Sequence, residues 1–354
     1  MAFRAEFGLQ LHLPTAGTRY TTPALIDLGV QAADAGFRQV WVTDNLRVRN
    51  IFVVLAGLAM RVKVKLGAAV LVQYFRNPVD VADAVASISE LMDGREFTLG
   101  IGRGNLHHTP NQLQLAKPLA MSRELALSLR ALLAGERVRF DAYPTLAAYF
   151  NLNPEEEIQL IFRPRGPVPL INGGNGPKGA ALAARCFDGM IYGPTFVAAA
   201  QMGKAAGLLD IARKTAEELP DRKALRFVAE VNVFLSSDRA RAREAAKTHA
   251  ASMLLSVRNM GHSPDDFRRL GVTPEQLDAI GRAAARRARP DEVAALVTDE
   301  VIDATYIAGD LDSCRPRLLE ICRTADALGF HQIMFSKLGP DFGEAIRILA
   351  AAVL

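Results

Sequence analysis

The chain of 354 residues is 50% hydrophobic and 23% charged, with a formal net charge of +4. That composition places it among globular enzymes with a sizeable buried core. Its pI is near 9.0, yet so small and evenly spread an excess argues against nucleic acid and suits an anionic cofactor or substrate. Cys186, Cys314 and Cys322 form no C-x-x-C pair, and neither an apolar leader nor a run of about 18 apolar residues is present. A reduced, cytoplasmic protein without a membrane span is therefore expected.

Strand-like and helix-like segments alternate along the chain. Residues 7–12 are short and apolar, and 22–35 carry a helical period. The β-rich run 39–43 ends in Asp44, 51–61 is helical, and 64–72 has the pattern of a buried strand. An amphipathic helix over 79–92 stops at Gly94, a strand over 97–101 runs into glycines, and a helix over 121–134 ends at the cap signal Gly135. Further strands are predicted over 168–171, 189–192, 226–235 and 332–335, and helices over 177–186, 196–218, 239–253, 316–328 and 342–353. Repeated units of this kind predict a parallel sheet with its helices outside. The length suits an α/β fold, a single (β/α)8 TIM barrel over residues 1–354. Ala35-Gly36-Phe37 and Leu328-Gly329-Phe330 echo one another: each ends a helix with Gly, turns at Phe and enters an apolar strand.

Three stretches break the repeat. Residues 105–118 and 137–167 are Pro-rich and irregular, and 258–290 is polar, with Pro264 and Pro274. Long loops in a barrel are lids and binding loops or else surface insertions and oligomer contacts. The 258–290 segment is expected to lie over the barrel mouth.

Chemistry in a barrel sits where strands end. After the second strand, Asp44 can accept a proton or hold a ring, and Asn45 can donate and accept hydrogen bonds; alternatively, Asp44 caps the next helix or pairs with Arg47 or Arg49. In the third strand, Gly67-Ala68-Ala69-Val70 would let a flat ring approach the backbone, or would simply pack a tight barrel layer. The run Gly100-Ile101-Gly102-Arg103-Gly104-Asn105 is not a dinucleotide fingerprint, but its glycines bring backbone near a ligand and Arg103 adds charge. The turn Gly173-Gly174-Asn175-Gly176-Pro177-Lys178 joins a strand to a helix N-terminus and suits a phosphate group. His12 ends the first strand, and His107 and His108 follow the fourth. No metal-ligand spacing and no G-x-S-x-G elbow is present, so neither a metal centre nor a serine hydrolase is expected.

Taken together, these segments resemble the bacterial-luciferase-like superfamily, most closely its methylenetetrahydromethanopterin reductase-like branch. The resemblance runs through Ala35–Asn45, Gly67–Pro78, Gly94-Arg95, Gly100–Gly104, Gly176-Pro177-Lys178, Asp188-Gly189, Ile307–Asp310 and Gly339-Pro340-Asp341. It implies a TIM barrel that binds FMN or the deazaflavin coenzyme F420 and transfers a hydride to or from a small organic substrate. It implies a non-prolyl cis peptide at Ala69–Val70 behind the ring, a phosphate site at Gly173, Gly174, Gly176 and Lys178, and a cofactor contact at Gly102 and Arg103. Asp44, Asn45 and His12 would orient the substrate. The sequence departs from the family at two points: Asn45 replaces the His common in the monooxygenases, and Gln10 replaces the Glu common in the reductase branch. Those departures point away from aldehyde and methanopterin substrates. Alternatives are a two-component monooxygenase using reduced FMN and a non-catalytic flavin-binding protein. A homodimer and a separate flavin or F420 reductase are the partners implied.

Overall fold

The computed structural model describes residues 3–104, 117–220 and 223–354. Eight parallel strands form a closed circuit: β1 Glu6–Leu11, β2 Gln39–Val42, β3 Lys65–Val72, β4 Phe97–Gly102, β5 Leu170–Asn172, β6 Gly189–Tyr192, β7 Arg226–Leu235 and β8 Gln332–Leu338. Closure runs through β8, which pairs with β7 on one edge and with β1 on the other, Leu9 opposite Phe335. The expected (β/α)8 barrel is the fold. A short ninth strand, Ile307–Gly309, was not foreseen. It pairs with Val233–Leu235, because β6 covers only Arg226–Ala229 of the long β7 and leaves that edge open above.

Local signals set the helix starts. Asn50 Oδ1 accepts from the N–H groups of Phe52 and Val53, and Asn77 Oδ1 from those of Val79 and Asp80 with Pro78 in the first turn. The helix expected from Pro316 begins earlier, at Leu311, where Asp310 accepts from Ser313 N–H at 2.8 Å; Pro316 lies inside it. The side-chain cap therefore outweighed proline as a start signal. The helix expected over 196–218 is two, Phe196–Gln201 and Ala206–Glu217. The Gly-Phe echo holds in atomic detail: Phe37 N–H donates to Ala32 O at 3.2 Å and Phe330 N–H to Ala325 O at 3.1 Å. Both rings enter the main core.

Prolines misled the reading of the irregular stretches, since several open short helices. Pro264–Arg269 and Pro274–Ala285 each start with a capping box, Ser263 with Asp266 and Thr273 with Gln276. Pro274–Ala285 and Asp299–Thr305 pack on the helix Arg239–Arg258, and Pro264–Arg269 on Pro274–Ala285, around a second core that includes Leu254, Phe267, Ile280 and Val301. In 137–167, the helix Pro144–Phe150 starts on the buried Glu124, which accepts from Thr145 N–H at 2.7 Å and Leu146 N–H at 3.1 Å. Among the described residues no helix is long and apolar enough to cross a membrane.

The barrel interior holds Trp41, Ala69, Ile171, Ile191, Val228 and Met334. A closed amide network supports it from the N-terminal end. Trp41 Nε1 donates to Gln332 Oε1 at 2.8 Å, Gln332 Nε2 to Gln39 Oε1 at 3.1 Å, and Gln39 Nε2 to Thr98 Oγ1 at 3.1 Å. Gly67 thereby acquires a packing role: a Cβ there would lie 2.6 Å from the indole of Trp41 and 2.8 Å from Thr98 O. At this position the small residue admits the protein's own ring. Gly67→Ala should lower stability by about 1–3 kcal/mol through overpacking, read as a lower urea midpoint with an unchanged slope. A midpoint equal to that of the parent chain would show that the indole is free to move aside.

Candidate active site

Strand β3 breaks register against β4. Ala68 faces Leu99, but Leu71 faces Ile101, so one extra residue is accommodated between them. The Ala69–Val70 peptide is cis, as the family resemblance implied. Three strands hold this bulge. Gln10 Nε2, from β1, donates to Ala69 O at 2.8 Å, and Ser336 Oγ, from β8, donates to Gln10 Oε1 at 2.6 Å. Asp44 N–H, just past β2, donates to Val70 O at 3.2 Å. The Val70 side chain lies against bare backbone: Cβ atoms at Gly102 and Gly173 would come within 3.1 and 2.4 Å of its methyl groups. The glycines at the end of β4 and just past β5 thus make room for the bulge.

Asp44 is buried, and its pairing differs from both alternatives weighed in the sequence. Arg76 Nη1 donates to its Oδ2 at 2.7 Å and Val72 N–H donates to the same oxygen at 3.2 Å. Arg76 also stacks over Phe52, 5.0 Å from the ring centre. Burial pushes the Asp44 carboxyl above its ordinary range, against the pull of the Arg76 guanidinium. Its other oxygen, Oδ1, is buried without a hydrogen-bond partner. Thr195 Oγ1, after β6, and Asn232 Oδ1, on β7, share that condition, although Asn232 Nδ2 donates to Pro194 O at 2.7 Å. Buried acceptors left open in this way suit the hydroxyl and ring N–H donors of a bound ligand. Asn45 is buried beside Asp44.

The glycine turn after β5 divides its work. Gly173 N–H donates to Ile101 O at 2.7 Å and Gly174 N–H to Asn172 Oδ1 at 3.1 Å, so both amides tie the turn to the barrel. Gly176 takes φ 110°, which only glycine adopts readily, and a Cβ there would meet nothing within 4 Å. The helix Pro177–Cys186 then starts with no side-chain cap, and Lys178 is exposed on its first turn. That uncapped end, rather than the two tied amides, has the character that suits an anion. Arg103 is exposed after β4, and Tyr74 feels its charge. Asn105, His107 and His108 lie outside the described residues.

A second polar group closes the β1, β7 and β8 side. His12 Nε2 lies 2.6 Å from Lys337 Nζ, and His12 Nδ1 lies 3.0 Å from Thr15 Oγ1. Glu230 is buried in the middle of β7; desolvation raises its carboxyl, against the pull of Lys337 and Ser336. Sequence reading singled out His12 but missed Glu230, Ser336 and Lys337. One signal was available: Glu230 and Asn232 share the parity of Val228 on β7 and so face the barrel interior. Lys337 gave no such signal, since regular alternation after Ser336 would turn it outward.

Comparison with known proteins decides the family. The luciferase-like monooxygenase family matches residues 6–328. The chain belongs to that family. It is 29% identical over 329 residues to the 5,10-methylenetetrahydromethanopterin reductase of Archaeoglobus fulgidus, covering 91% of this chain and 92% of that protein. Its fold matches the coenzyme F420-dependent tetrahydromethanopterin reductase of Methanopyrus kandleri, with TM-score 0.73, 21% identity and 99% and 98% of the two chains covered. It also matches an F420-dependent secondary alcohol dehydrogenase solved with an F420–acetone adduct, with TM-score 0.69, 18% identity and the same coverage. At these two identities the structural likeness speaks for the fold.

Within this luciferase-like barrel, the Asp44–Arg76 pair is a clamp between the ends of β2 and β3. Arg76→Met leaves the Asp44 carboxylate buried and unpaired, which should cost about 3–5 kcal/mol near neutral pH. The sign of its pH dependence follows from the carboxyl. Without Arg76 the folded-state pKa of Asp44 rises further above its unfolded value. The loss should therefore grow as pH rises and shrink as Asp44 protonates in acid. Urea unfolding of both chains at about pH 5 and about pH 8 reads the difference; a loss independent of pH would detach it from Asp44.

Proposed function

We propose that this luciferase-like chain is an oxidoreductase that uses coenzyme F420 to move a hydride to or from a small organic substrate. The observation that carries this reading is the Ala69–Val70 bulge, held by Gln10 and Asp44, in a barrel that leaves buried oxygens of Asp44, Thr195 and Asn232 without partners. The full-length relatedness to F420-linked enzymes supports the deazaflavin over FMN. Ala69 and Val70 would back the ring. The helix end at Gly176–Lys178, reached along Gly102, Arg103, Gly173 and Gly174, would take the phosphate. When bound, the deazaflavin supplies the two-electron hydride chemistry.

The chain's own residues do the rest. Gln10 fixes the height of the bulge, and Arg76 holds Asp44 with one oxygen facing inward. Asp44 and Asn45 orient the substrate, and His12 stands beside them at the end of β1, against Lys337. The helical layer that includes 258–290 would shield the mouth, excluding water from the transfer. The family's own description favours a second reading, a monooxygenase working with reduced FMN and a separate flavin reductase. A cytoplasmic homodimer completes the reading.

Equilibrium titration of the apoprotein, followed by fluorescence, tests the cofactor. Coenzyme F420 should bind at least about tenfold more tightly than FMN, and Lys178→Met should weaken it by several-fold, the loss of one charge at a helix N-terminus. Tight FMN binding with no F420 binding would overturn the deazaflavin and favour the monooxygenase reading.

A further inference from the structure

Resting on the deazaflavin reading above, we propose that Lys337 is the catalytic acid and base of this enzyme and His12 its positioning partner, and that the substrate is a carbonyl compound or the matching alcohol. Nothing in the family resemblance assigns Lys337. Its place in the mouth depends on a local reversal of the backbone. Ser336 faces inward, where its hydroxyl meets Gln10, so a regular strand would point Lys337 away from the interior. Instead Lys337 and Leu338 take φ 73° and 69°. Two successive side-chain-bearing residues in that region are strained and persist where the surroundings impose them. Leu338 is fully buried in the main core and anchors the turn. The result is the 2.6 Å contact between Lys337 Nζ and His12 Nε2.

The proton positions follow from the neighbours. Thr15 Oγ1 donates to His12 O at 3.0 Å, so it accepts from His12 Nδ1. The imidazole therefore carries its proton on Nδ1 and offers the Nε2 lone pair to the ammonium of Lys337. Two ammonium hydrogens remain for a substrate oxygen. Burial pushes Lys337 down to about 8, while Glu230, facing it from β7, pulls the other way. Tyr306 in turn faces Glu230 and stays protonated. A group that titrates close to working pH is an efficient proton donor and acceptor.

The balance of the step selects the substrate class. In reduction, the carbonyl carbon takes a hydride from the reduced deazaflavin. The π pair of the C=O bond becomes the new O–H bond, with its proton from Lys337 Nζ. Lys337 is left as a neutral amine that still donates one N–H to His12 Nε2. Alcohol oxidation is the reverse, with the amine taking the hydroxyl proton. A substrate that accepts hydride at an iminium carbon needs no proton in that step and would leave this pair idle.

Two measurements test it. In the full-length, 15N-labelled chain, with the His12 signal assigned by His12→Gln, the imidazole should show the Nδ1–H tautomer. It should also show an inflection at about 8, absent in Lys337→Met. No inflection, or the same one in Lys337→Met, overturns the pair without any cofactor present. The second measurement uses F420-loaded enzyme and a panel of short secondary alcohols and ketones. Lys337→Met should lower kcat about 10²- to 10⁴-fold while KM and F420 binding change little. His12→Gln should move the pH limb rather than abolish it. Wild-type kcat in Lys337→Met overturns the role of Lys337. F420 binding without turnover of any alcohol or ketone overturns the substrate class and leaves the cofactor reading intact. Failure to bind F420 removes both.

Discussion

Three strands of the barrel converge on the side chain of Gln10. Its amide nitrogen donates to Ala69 O on β3 and its amide oxygen accepts from Ser336 on β8, while its own backbone lies on β1. Each such bond contributes about 0.5–1.5 kcal/mol net, but leaving one of these buried atoms unpaired costs about 1–3 kcal/mol. The Ala69 carbonyl cannot turn elsewhere, because β4 has already slipped register past it. Gln10 therefore sets the height of the bulge, and through the bulge the depth at which any ring can rest. On the other side Asp44 N–H fixes the Val70 carbonyl, so the pocket floor has no freedom left in its backbone.

That constraint also explains a departure from the family pattern. An ionised Glu at position 10 would have two acceptor oxygens and no donor for Ala69 O. The neutral amide of Gln10 donates to β3 and accepts from β8 at once, whatever the pH. The carboxylate missing from β1 is present nearby on β7, as Glu230, where burial raises its pKa and Lys337 opposes the shift.

The architecture was legible in the sequence because each of its signals is local. Strand period, Asn50 and Asn77 before their helices, and the paired Gly36-Phe37 and Gly329-Phe330 turns all act within a few residues. Prolines at 264, 274 and 144 misled for the same reason: read alone they break structure, but in context each opens a helix. The site was half legible. Asp44 and the glycines after β4 and β5 announced themselves by type and place. The partner of Asp44 did not, since Arg76 reaches it from the next strand's loop across 32 residues. Gly67 fits the packing alternative, since it leaves room for the indole of Trp41. Lys337 was illegible, because its direction depends on two backbone angles that no residue type at 337 or 338 advertises.

The two sides of the mouth are built from different materials. From β2 to β6 the wall is backbone, glycine and one paired carboxylate: the bulge, Gly102, Gly173, Asp44 held by Arg76, and the uncapped helix at Gly176. Such a surface suits a large flat ligand. From β7 round to β1 the wall carries Glu230, Lys337 and His12, with Lys337 acting on both of the others. A hydride carrier needs the first kind of wall, because its ring must be fixed and left chemically alone. A substrate that gains or loses a proton with the hydride needs the second. The barrel meets both demands with one ring of strands, and Gln10, bonded to β3 on one side and β8 on the other, sits where the two walls join. Substitution at Gln10 would thus disturb ring position and proton transfer together, whereas changes at Lys178 or Lys337 should separate them.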